Sequence, residues 1–433
     1  MRSVYQANRI GNEKTMVATL QIFLLLGGML MNAVGIDVSK GKSMVAVMRP
    51  LGELVVKPFE VHHTANELKD LSDLLRGLDG EVRIIMEFTG RYYQPIARYL
   101  VEAGFFVGVV HAKLIHDFGN NSIRKVKTDR ADAIKIANYG LSNWISLKRY
   151  TPEDETRLLL KTCNRQYNQY MKLKVSLKNN LIAILDQTFS GLNEMFTSPV
   201  RADGHEKWVD FAEKFWHCEI VSSMSRAKFT TQYSKWCQKH GYNRSDSKAS
   251  ALYELALNQV ATLPPTTQTK ALIVQAISQL NFVSVSLAEL RRQMQQLAAS
   301  LPEYPVVLAM SGVGETLGPQ LIAEIGDVRR FSHKGALVAF AGVDAPPFQS
   351  GVFESASRSI SKRGSPALRK ALFQVMKSIL KNSPSDDAVY QFLDRKRAEG
   401  KHYYVYMVAG CNKFLRIYYA RVKEYLITLE NIS

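Results

Sequence analysis

Cysteine is scarce in this sequence. The four cysteines are scattered along the chain and none forms a Cys-x-x-Cys pair: Cys163, Cys218, Cys237 and Cys411. Cysteines this few and this widely spaced exclude a disulfide framework and indicate a reducing, cytoplasmic location. Cys218, Cys237 and His240 lack a fourth partner for a zinc site, so we interpret them as structural residues.

Acidic residues are also in short supply. The 433 residues include 39 Asp and Glu against 56 Lys and Arg, which leaves a formal net charge of +17. Such an excess is typical of proteins with a polyanionic partner, and nucleic acid is the first hypothesis; a solvated basic surface is the alternative. With 46% hydrophobic residues, the chain is too long for one core and too apolar for disorder, which predicts two or three folded domains.

Charge is absent altogether from residues 15–36. An uncharged run of this kind resembles a signal or membrane segment. Its last residues, however, read as the first buried strand of a folded domain, which leaves little sequence to cross a bilayer. We therefore expect residues 1–30 to be an apolar extension outside the fold and do not favour a membrane partner. A membrane-anchored protein is the alternative that this run leaves open.

Residues 31–150 have the pattern of an α/β domain. Short apolar runs near residues 33–38, 44–48 and 53–61 predict three leading strands, and the next segments alternate between helical and strand periodicity. This order predicts a mixed sheet that is covered by helices.

Residues 151–302 are predicted to be helical, with two heptad seams. The first seam runs from Leu160 to Ile184 and the second from Ile273 to Leu301. Two seams can pair within one chain or with another subunit, which leaves a homo-oligomer, a dimer or a tetramer, open. Residues 189–264 are interpreted as a helical insertion of unassigned role, and residues 303–433 as a mainly α-helical C-terminal domain.

A glycine-containing turn follows in the C-terminal domain. Gly312 and Gly314 lie between two short predicted helices. Backbone N–H groups at such a turn can hold a phosphate oxygen, so the segment resembles a helix-hairpin-helix contact to DNA. An ordinary turn between helices is the alternative.

Four acidic residues of the first domain predict a metal site. Asp37 lies on the first strand, Glu87 ends the fourth, and Asp129 and Asp132 share one helix face by their i, i+3 spacing. Clustered carboxylates need compensating positive charge, and their hard oxygens favour Mg²⁺, with Mn²⁺ as a second choice. The neighbouring Lys127 and Arg130 would suit a phosphodiester substrate. Helix caps and turn formers are the alternative for acids at such positions.

A second group of candidate residues lies in the C-terminal domain. Ser350 is on a loop bounded by Pro and Gly, where a hydroxyl could reach a substrate, although a Ser-Gly pair is usually only a turn. A run of cations follows it, which would suit nucleic-acid binding and the negative charge of a phosphoryl transition state: Arg358, Lys362, Arg363 and Arg369.

Six motifs occur together in order from about residue 31 to the C-terminus. They are Gly35-Ile-Asp-Val-Ser-Lys, Glu87-Phe-Thr-Gly, Lys127-Thr-Asp-Arg-Ala-Asp-Ala, Gly312-Val-Gly, Ala341-Gly with Pro346 and Ser350-Gly, and Lys362-Arg-Gly with Leu368-Arg. The set resembles the bacterial DEDD transposases of the insertion-sequence 110 family, including its 1111 subgroup, and the related Piv-type DNA invertases. Ser365 departs from the family pattern, which often has Asn at this position.

The resemblance implies both a fold and a function. It implies a RuvC-like, ribonuclease-H-type domain whose four acids are Asp37, Glu87, Asp129 and Asp132, and a C-terminal transposase domain whose catalytic serine is Ser350. It also implies recombination of donor and target DNA with a structured non-coding bridge RNA. Two rival functions stay open: a metal-dependent DNA junction endonuclease in which Ser350 is structural, and a non-catalytic nucleic-acid-binding scaffold.

Overall fold

Two units make up the chain, one ending at Pro152 and the other beginning at Glu153. The computed structural model describes residues 30–88, 90–118, 128–345, 349–350, 353–354 and 359–432, with only the backbone described at 349–350 and 353–354. The apolar extension expected at residues 1–30 therefore lies outside the described residues except for Leu30.

The first unit is built on a five-stranded sheet with the order β3-β2-β1-β4-β5. The first three strands are antiparallel neighbours, whereas β4 and β5 run parallel to β1. The bounds of the strands are Met31–Val38 (β1), Lys42–Met48 (β2), Leu54–His62 (β3), Glu81–Glu87 (β4) and Phe106–Val110 (β5). This arrangement agrees with the predicted mixed sheet and fits a ribonuclease-H-like α/β domain.

Helices cover both faces of this sheet. They are Ala65–Arg76 (α1), Tyr93–Glu102 (α2), Ala112–Phe118 (α3) and Asp129–Ser142 (α4). Side chains alternate along a strand, so Val34, Ile36, Ile84 and Met86 enter one core with the apolar residues of α1 and α2. Ala33 and Ile85 point to the other face and pack with Ile136 and Ala137 of α4.

The second unit is helical. Its helices are Glu155–Leu185 (α5), Lys207–Lys214 (α6), Cys218–Ser222 (α7), Arg226–His240 (α8), Asp246–Leu257 (α9), Thr267–Ala299 (α10), Tyr304–Leu308 (α11), Leu317–Ile325 (α12), Lys334–Ala341 (α13), Pro366–Asn382 (α14), Ala388–Ala398 (α15) and Tyr403–Ile432 (α16). Gln349–Ser350 (β6) and Phe353–Glu354 (β7) form a short antiparallel ribbon. The long helices α5 and α10, which carry the two heptad patterns, pack along each other; coiled-coil geometry stays a prediction.

Two cores lie along the α5–α10 pair. One is formed with the insertion and contains Leu181 and Leu185 of α5 with Ile273 and Leu280 of α10. The other joins Leu160 of α5 and Leu287 of α10 to the helices that follow residue 302. Side chains from both sides of the boundary expected near residue 302 thus share one core, and that boundary stays a prediction.

Among the described residues, one helix, Thr267–Ala299, is long and apolar enough by composition to cross a membrane. Its apolar residues Ile273, Leu280, Leu287 and Met294 are buried in the two cores just described. A core helix of this kind meets the same criteria of length and hydropathy, so the finding is weak support for a membrane span. The end of the uncharged run, from Met31, forms strand β1.

Candidate active site

The contact between β1 and α4 determines where the predicted acids lie. Gly35 of β1 faces α4 so closely that a methyl group on it would lie 2.1 Å from the carbonyl oxygen of Ala133 and 2.4 Å from the backbone nitrogen of Ala137. Further along α4, Gly140 faces Ile85 of β4 and Ala33 of β1. Helix α4 therefore lies across both strands, and its first turn lies towards their C-terminal ends.

This packing puts Glu87 and Asp132 close enough to act on each other electrostatically, and the convergence of all four acids stays a prediction. Asp37 follows Gly35 by two residues and Glu87 follows Ile85 by two, so both lie on the face covered by α4. Asp129 and Asp132 are in the first turn of α4, where the Thr128 hydroxyl oxygen accepts a hydrogen bond from the Ala131 backbone N–H at 3.2 Å. Of these two acids, Asp132 acts electrostatically on Glu87, whereas Asp129 acts on Lys42 of β2.

The surroundings of Glu87 disfavour its ionised form, chiefly through burial. Burial raises the pKa of this half-buried carboxyl, and the nearby Asp132 raises it further. Lys135, His111 and His116 act in the opposite direction. A carboxyl group whose pKa is raised by burial and by a neighbouring carboxylate is the kind of group whose ionised form a cation would stabilise.

The donor set suits a hard divalent cation. Four carboxylates offer only oxygen ligands, which Mg²⁺ and Mn²⁺ accept. As the side chains stand, no three His, Cys, Asp or Glu residues among those described lie close enough together to hold a metal ion. Metal binding would therefore require these side chains to move together, and their assignment as ligands stays a prediction.

Three basic residues act on Glu87, and the two histidines among them were not singled out by the sequence. His111 follows the end of β5, and His116 and Lys135 meet where the Lys135 ammonium donates to the His116 carbonyl at 3.3 Å. A usable signal existed, because residues just after parallel strands gather at one sheet edge. Of the two cations that were predicted to bind nucleic acid here, Arg130 is exposed, whereas Lys127 lies outside the described residues.

The segment carrying Ser350 is closed at its base. Ser361 N–H donates to the Asp344 carbonyl at 2.9 Å, Lys362 N–H to Gly342 at 3.2 Å, and Ser365 N–H to Phe340 at 2.9 Å. The Ser361 hydroxyl also donates to the Asp344 carboxylate at 2.5 Å. These bonds join the two ends of residues 345–360, and Ser350 lies between them on β6. We call this set of bonds the loop base.

Arg369 belongs to the loop base. Its guanidinium Nη1 donates to the carbonyl oxygens of Ala341 at 3.0 Å and Gly364 at 3.1 Å, one on each side of the loop. These bonds favour a structural role beside the predicted contact with nucleic acid. Lys362 and Arg363 are exposed and remain candidates for that contact, and Arg358 lies outside the described residues.

A buried carboxylate supports the second end of the loop. Glu324 of α12 is only 1% exposed, and its Oε2 accepts a hydrogen bond from the Ser365 hydroxyl at 3.0 Å. Its Oε1 accepts a hydrogen bond from the Asn164 side-chain amide at 2.9 Å. Ser365 also caps α14 by accepting from the Leu368 N–H at 3.2 Å. Ser365 can therefore perform a capping role that Asn side chains also perform.

The glycine turn is partly enclosed by α14. Gly312 has φ +74°, and a methyl group on it would lie 2.5 Å from Ile379 Cγ1, whereas nothing lies within 4 Å of a methyl group on Gly314. The flanking helices are Tyr304–Leu308 and Leu317–Ile325, shorter than the sequence suggested. The helix-hairpin-helix contact to DNA stays a prediction, and Gly314 offers the more open of the two positions.

Comparison with known proteins identifies the family through two segments of the chain. Residues 34–190, which hold the four acids, match the description "Transposase" for IS110-type DEDD proteins. Residues 304–391, which hold the loop base and Ser350, match "Transposase IS116/IS110/IS902 family". The chain belongs to the IS110 family of transposases. It is accordingly an enzyme, a DNA transposase.

Relatives of this transposase match over most of their length. It is 20% identical over 347 residues to the pilin gene-inverting protein of Moraxella bovis, covering 79% of this chain and 80% of the relative. It is 22% identical over 323 residues to an uncharacterized insertion element IS116 protein of Streptomyces clavuligerus, covering 73% and 77%. RuvC of T. thermophilus, solved with a Holliday junction substrate, is matched over 28% of this chain and 99% of RuvC at 12% identity and a TM-score of 0.22.

Proposed function

We propose that this transposase cuts and rejoins DNA strands of an insertion sequence through a covalent phosphoserine link on Ser350. The observation that supports the proposal is the packing of Gly35 and Ile85 against α4, from which we infer that Asp37, Glu87, Asp129 and Asp132 act together. Family membership supports the pairing of this corner with a serine on a loop in the second matched segment.

The first chemical step is a transfer of a phosphoryl group to serine. The Ser350 hydroxyl oxygen attacks the phosphorus of a phosphodiester, the bond from phosphorus to the leaving oxygen breaks, and that oxygen takes a proton while serine loses one. In the second step a hydroxyl at the end of another DNA strand attacks the phosphoserine, which restores Ser350. Because each step exchanges one phosphoester for another, no ATP is required.

The acids and the loop have separate tasks. A Mg²⁺ or Mn²⁺ ion bound by the four carboxylates would neutralise charge on the scissile phosphate. The loop base holds Ser350 between two fixed ends, and the exposed Lys362 and Arg363 attract the DNA backbone. The acids and Ser350 meet on one phosphate within one subunit or across two subunits of a homo-oligomer.

Guidance by a structured bridge RNA is part of the proposal. In this proposal the protein binds RNA as well as donor and target DNA. Its net charge of +17 favours the binding of several polyanions. Base pairing would read the sequence while the protein binds the backbones. Lys127, Arg130 and the glycine turn are the further contacts that we assign to nucleic acid.

The test is to trap the covalent intermediate. The protein is purified with co-expressed non-coding RNA from the flanks of its element and mixed with labelled donor and target DNA in Mg²⁺. We expect a labelled DNA species that protease digestion shortens and that maps to Ser350 by mass spectrometry. Ser350→Ala abolishes the species, whereas Ser355→Ala, a nearby serine outside the motif, keeps it. DNA cleavage that persists in Ser350→Ala would refute the proposal and favour a metal-dependent nuclease.

A further inference from the structure

Neither family description covers residues 191–303. Most of this part is the insertion between α5 and α10, which has its own core of aromatic side chains including Phe211, Phe215, Tyr233 and Trp236. A folded insertion with a core of this size can present a rigid surface.

An open pocket of about 380 Å³ lies on the outer side of α8 in the insertion. Its lining includes Thr231, Ser234, Lys235, Gln238, Tyr242 and Arg244. Ser234 and Gln238 are one helical turn apart, about 6 Å along the axis at 1.5 Å per residue. The pocket thus presents a hydroxyl, an amide and an ammonium group in a row.

The charge around the pocket is positive. Helix α8, from Arg226 to His240, contains four Lys or Arg and no Asp or Glu. Lys235 forms no ion pair within the part of the chain that the structure describes. Arg244 is different, because Asp246 neutralises it at 2.9 Å. Lys235 is therefore the cation most available to a ligand.

The aromatic wall of the pocket is fixed in place. The Tyr242 hydroxyl donates to Asp210 Oδ2 at 2.5 Å, and burial together with this bond raises the pKa of Tyr242. Its ring stacks on Trp236 with 5.3 Å between centroids. The Arg201 guanidinium and the Lys207 ammonium lie over the Tyr242 ring, 5.5 and 5.2 Å from its centroid, so they add positive charge beside this wall of the pocket.

We propose that this pocket binds the phosphodiester backbone of a nucleic-acid strand. Lys235 attracts a phosphate, and Ser234 and Gln238 donate hydrogen bonds to phosphate oxygens, while Tyr242 forms a fixed wall of the pocket. The chemistry is common to RNA and DNA, so either strand is a source. This inference rests on the proposed function only in that the transposase handles nucleic acid.

The test compares matched variants of the full-length protein. Lys235→Gln is paired with Lys228→Gln, which removes the same charge from an exposed position of α8 outside the pocket. Gln238→Glu is paired with Gln232→Glu in the same way. Fluorescence anisotropy measures binding to labelled single-stranded DNA, single-stranded RNA and duplex DNA of about 20 nucleotides, over salt concentrations from about 50 to 200 mM.

We expect Lys235→Gln to weaken binding of at least one nucleic acid by about three- to tenfold and to reduce its salt slope by about one, as loss of one phosphate contact does. Gln238→Glu weakens binding more, because it introduces a negative charge. Both control variants stay near the wild type. A larger loss for RNA than for DNA identifies RNA as the occupant, and the reverse identifies DNA.

The proposal is wrong if each pocket variant and its control bind all three nucleic acids alike. Equal melting temperatures by circular dichroism exclude misfolding as the cause of any loss. The serine-linked DNA assay is run on the same preparations. If the wild type forms the serine-linked adduct and the pocket variants bind nucleic acid as it does, only the pocket proposal is wrong. If the pocket variants bind more weakly but the wild type forms no adduct, the phosphoserine proposal is wrong and the pocket proposal stands.

Discussion

Replacement of Gly35 by alanine tests whether the β1–α4 contact forms the active site. The new methyl group would lie 2.1 Å from the Ala133 carbonyl oxygen, whereas such contacts in proteins are essentially never below 3.0 Å. The obstacle is helix backbone, which cannot rotate away, so α4 must move by about 1 Å, the difference between these two distances. Asp129 and Asp132 move with it, away from Asp37 and Glu87.

Two effects of Gly35→Ala follow. Overpacking of this kind costs about 1–3 kcal/mol of unfolding free energy. Misplacement of catalytic groups by about 1 Å lowers the rate by about 100-fold. The assays are thermal unfolding and the single-turnover rate of serine-linked DNA formation at saturating Mg²⁺.

Two other glycine-to-alanine substitutions serve as controls for the loss of stability and rate in Gly35→Ala. A methyl group at Gly140 would meet side-chain atoms of the buried Ile85, Cδ1 at 2.3 Å and Cγ1 at 2.7 Å, which can shift more readily than helix backbone, so we expect Gly140→Ala to cause a milder loss. Gly77→Ala lies at the end of α1 with ordinary contacts of 3.4 Å and longer, and should behave as the wild type. If Gly35→Ala keeps wild-type stability and rate, the reasoning that links this contact to the acids is refuted.

Two further predictions concern the second unit. Arg369→Ala should slow adduct formation at least tenfold and make residues 345–360 more sensitive to proteolysis, because its guanidinium joins the two sides of the loop base. The salt slope of DNA binding should stay unchanged. Lys377→Ala on the same helix is the control. A reduced salt slope without new proteolysis would instead make Arg369 a DNA contact. Burial alone would raise the pKa of Glu206, but hydrogen bonds from Lys178, Trp208 and Lys174 lower it to about 2 from 4.5. Since its folded-state pKa is depressed, Glu206 stabilises the protein above about pH 4.5, by about 3 kcal/mol, and this contribution is lost as the pH falls towards 2. Melting temperatures of wild type and Glu206→Gln should therefore differ at pH 7, draw together below about pH 4.5 and converge only near pH 2; a gap that stays constant with pH would contradict this account.

Periodicity predicted the sheet well because its signal is local. Val34 and Ile36 alternate with Ala33 and Gly35 within one short segment, and that alternation already assigns Asp37 to a face. The i, i+3 spacing likewise placed Asp129 and Asp132 together on a helix. Periodicity cannot predict the distance between β1 and α4. That distance is short because Gly35 has no side chain, so the strand can approach the backbone of a helix about a hundred residues later in the sequence.

Long-range hydrogen bonds were the main feature that the sequence concealed. Arg369 reads as one cation among several, and only the fold shows that the Ala341 carbonyl, 28 residues earlier, accepts its hydrogen bond. Glu324 reads as an ordinary helix residue, and its burial against Asn164 and Ser365 depends on three helices meeting. Partners this far apart in sequence leave no periodic pattern to detect.

The chain segments that enter and leave the insertion lie next to each other, just after α5 and just before α10. The Gln187 carbonyl accepts backbone hydrogen bonds from Thr262 at 3.0 Å and from Leu263 at 3.1 Å. These bonds join the two ends of the insertion beside the end of the α5–α10 pair. The insertion also shares a core with Leu181 and Leu185 of α5 and with Ile273 and Leu280 of α10. Substitutions in that core would disturb the packing of α5 against α10, whereas substitutions on the outer surface of the insertion would not.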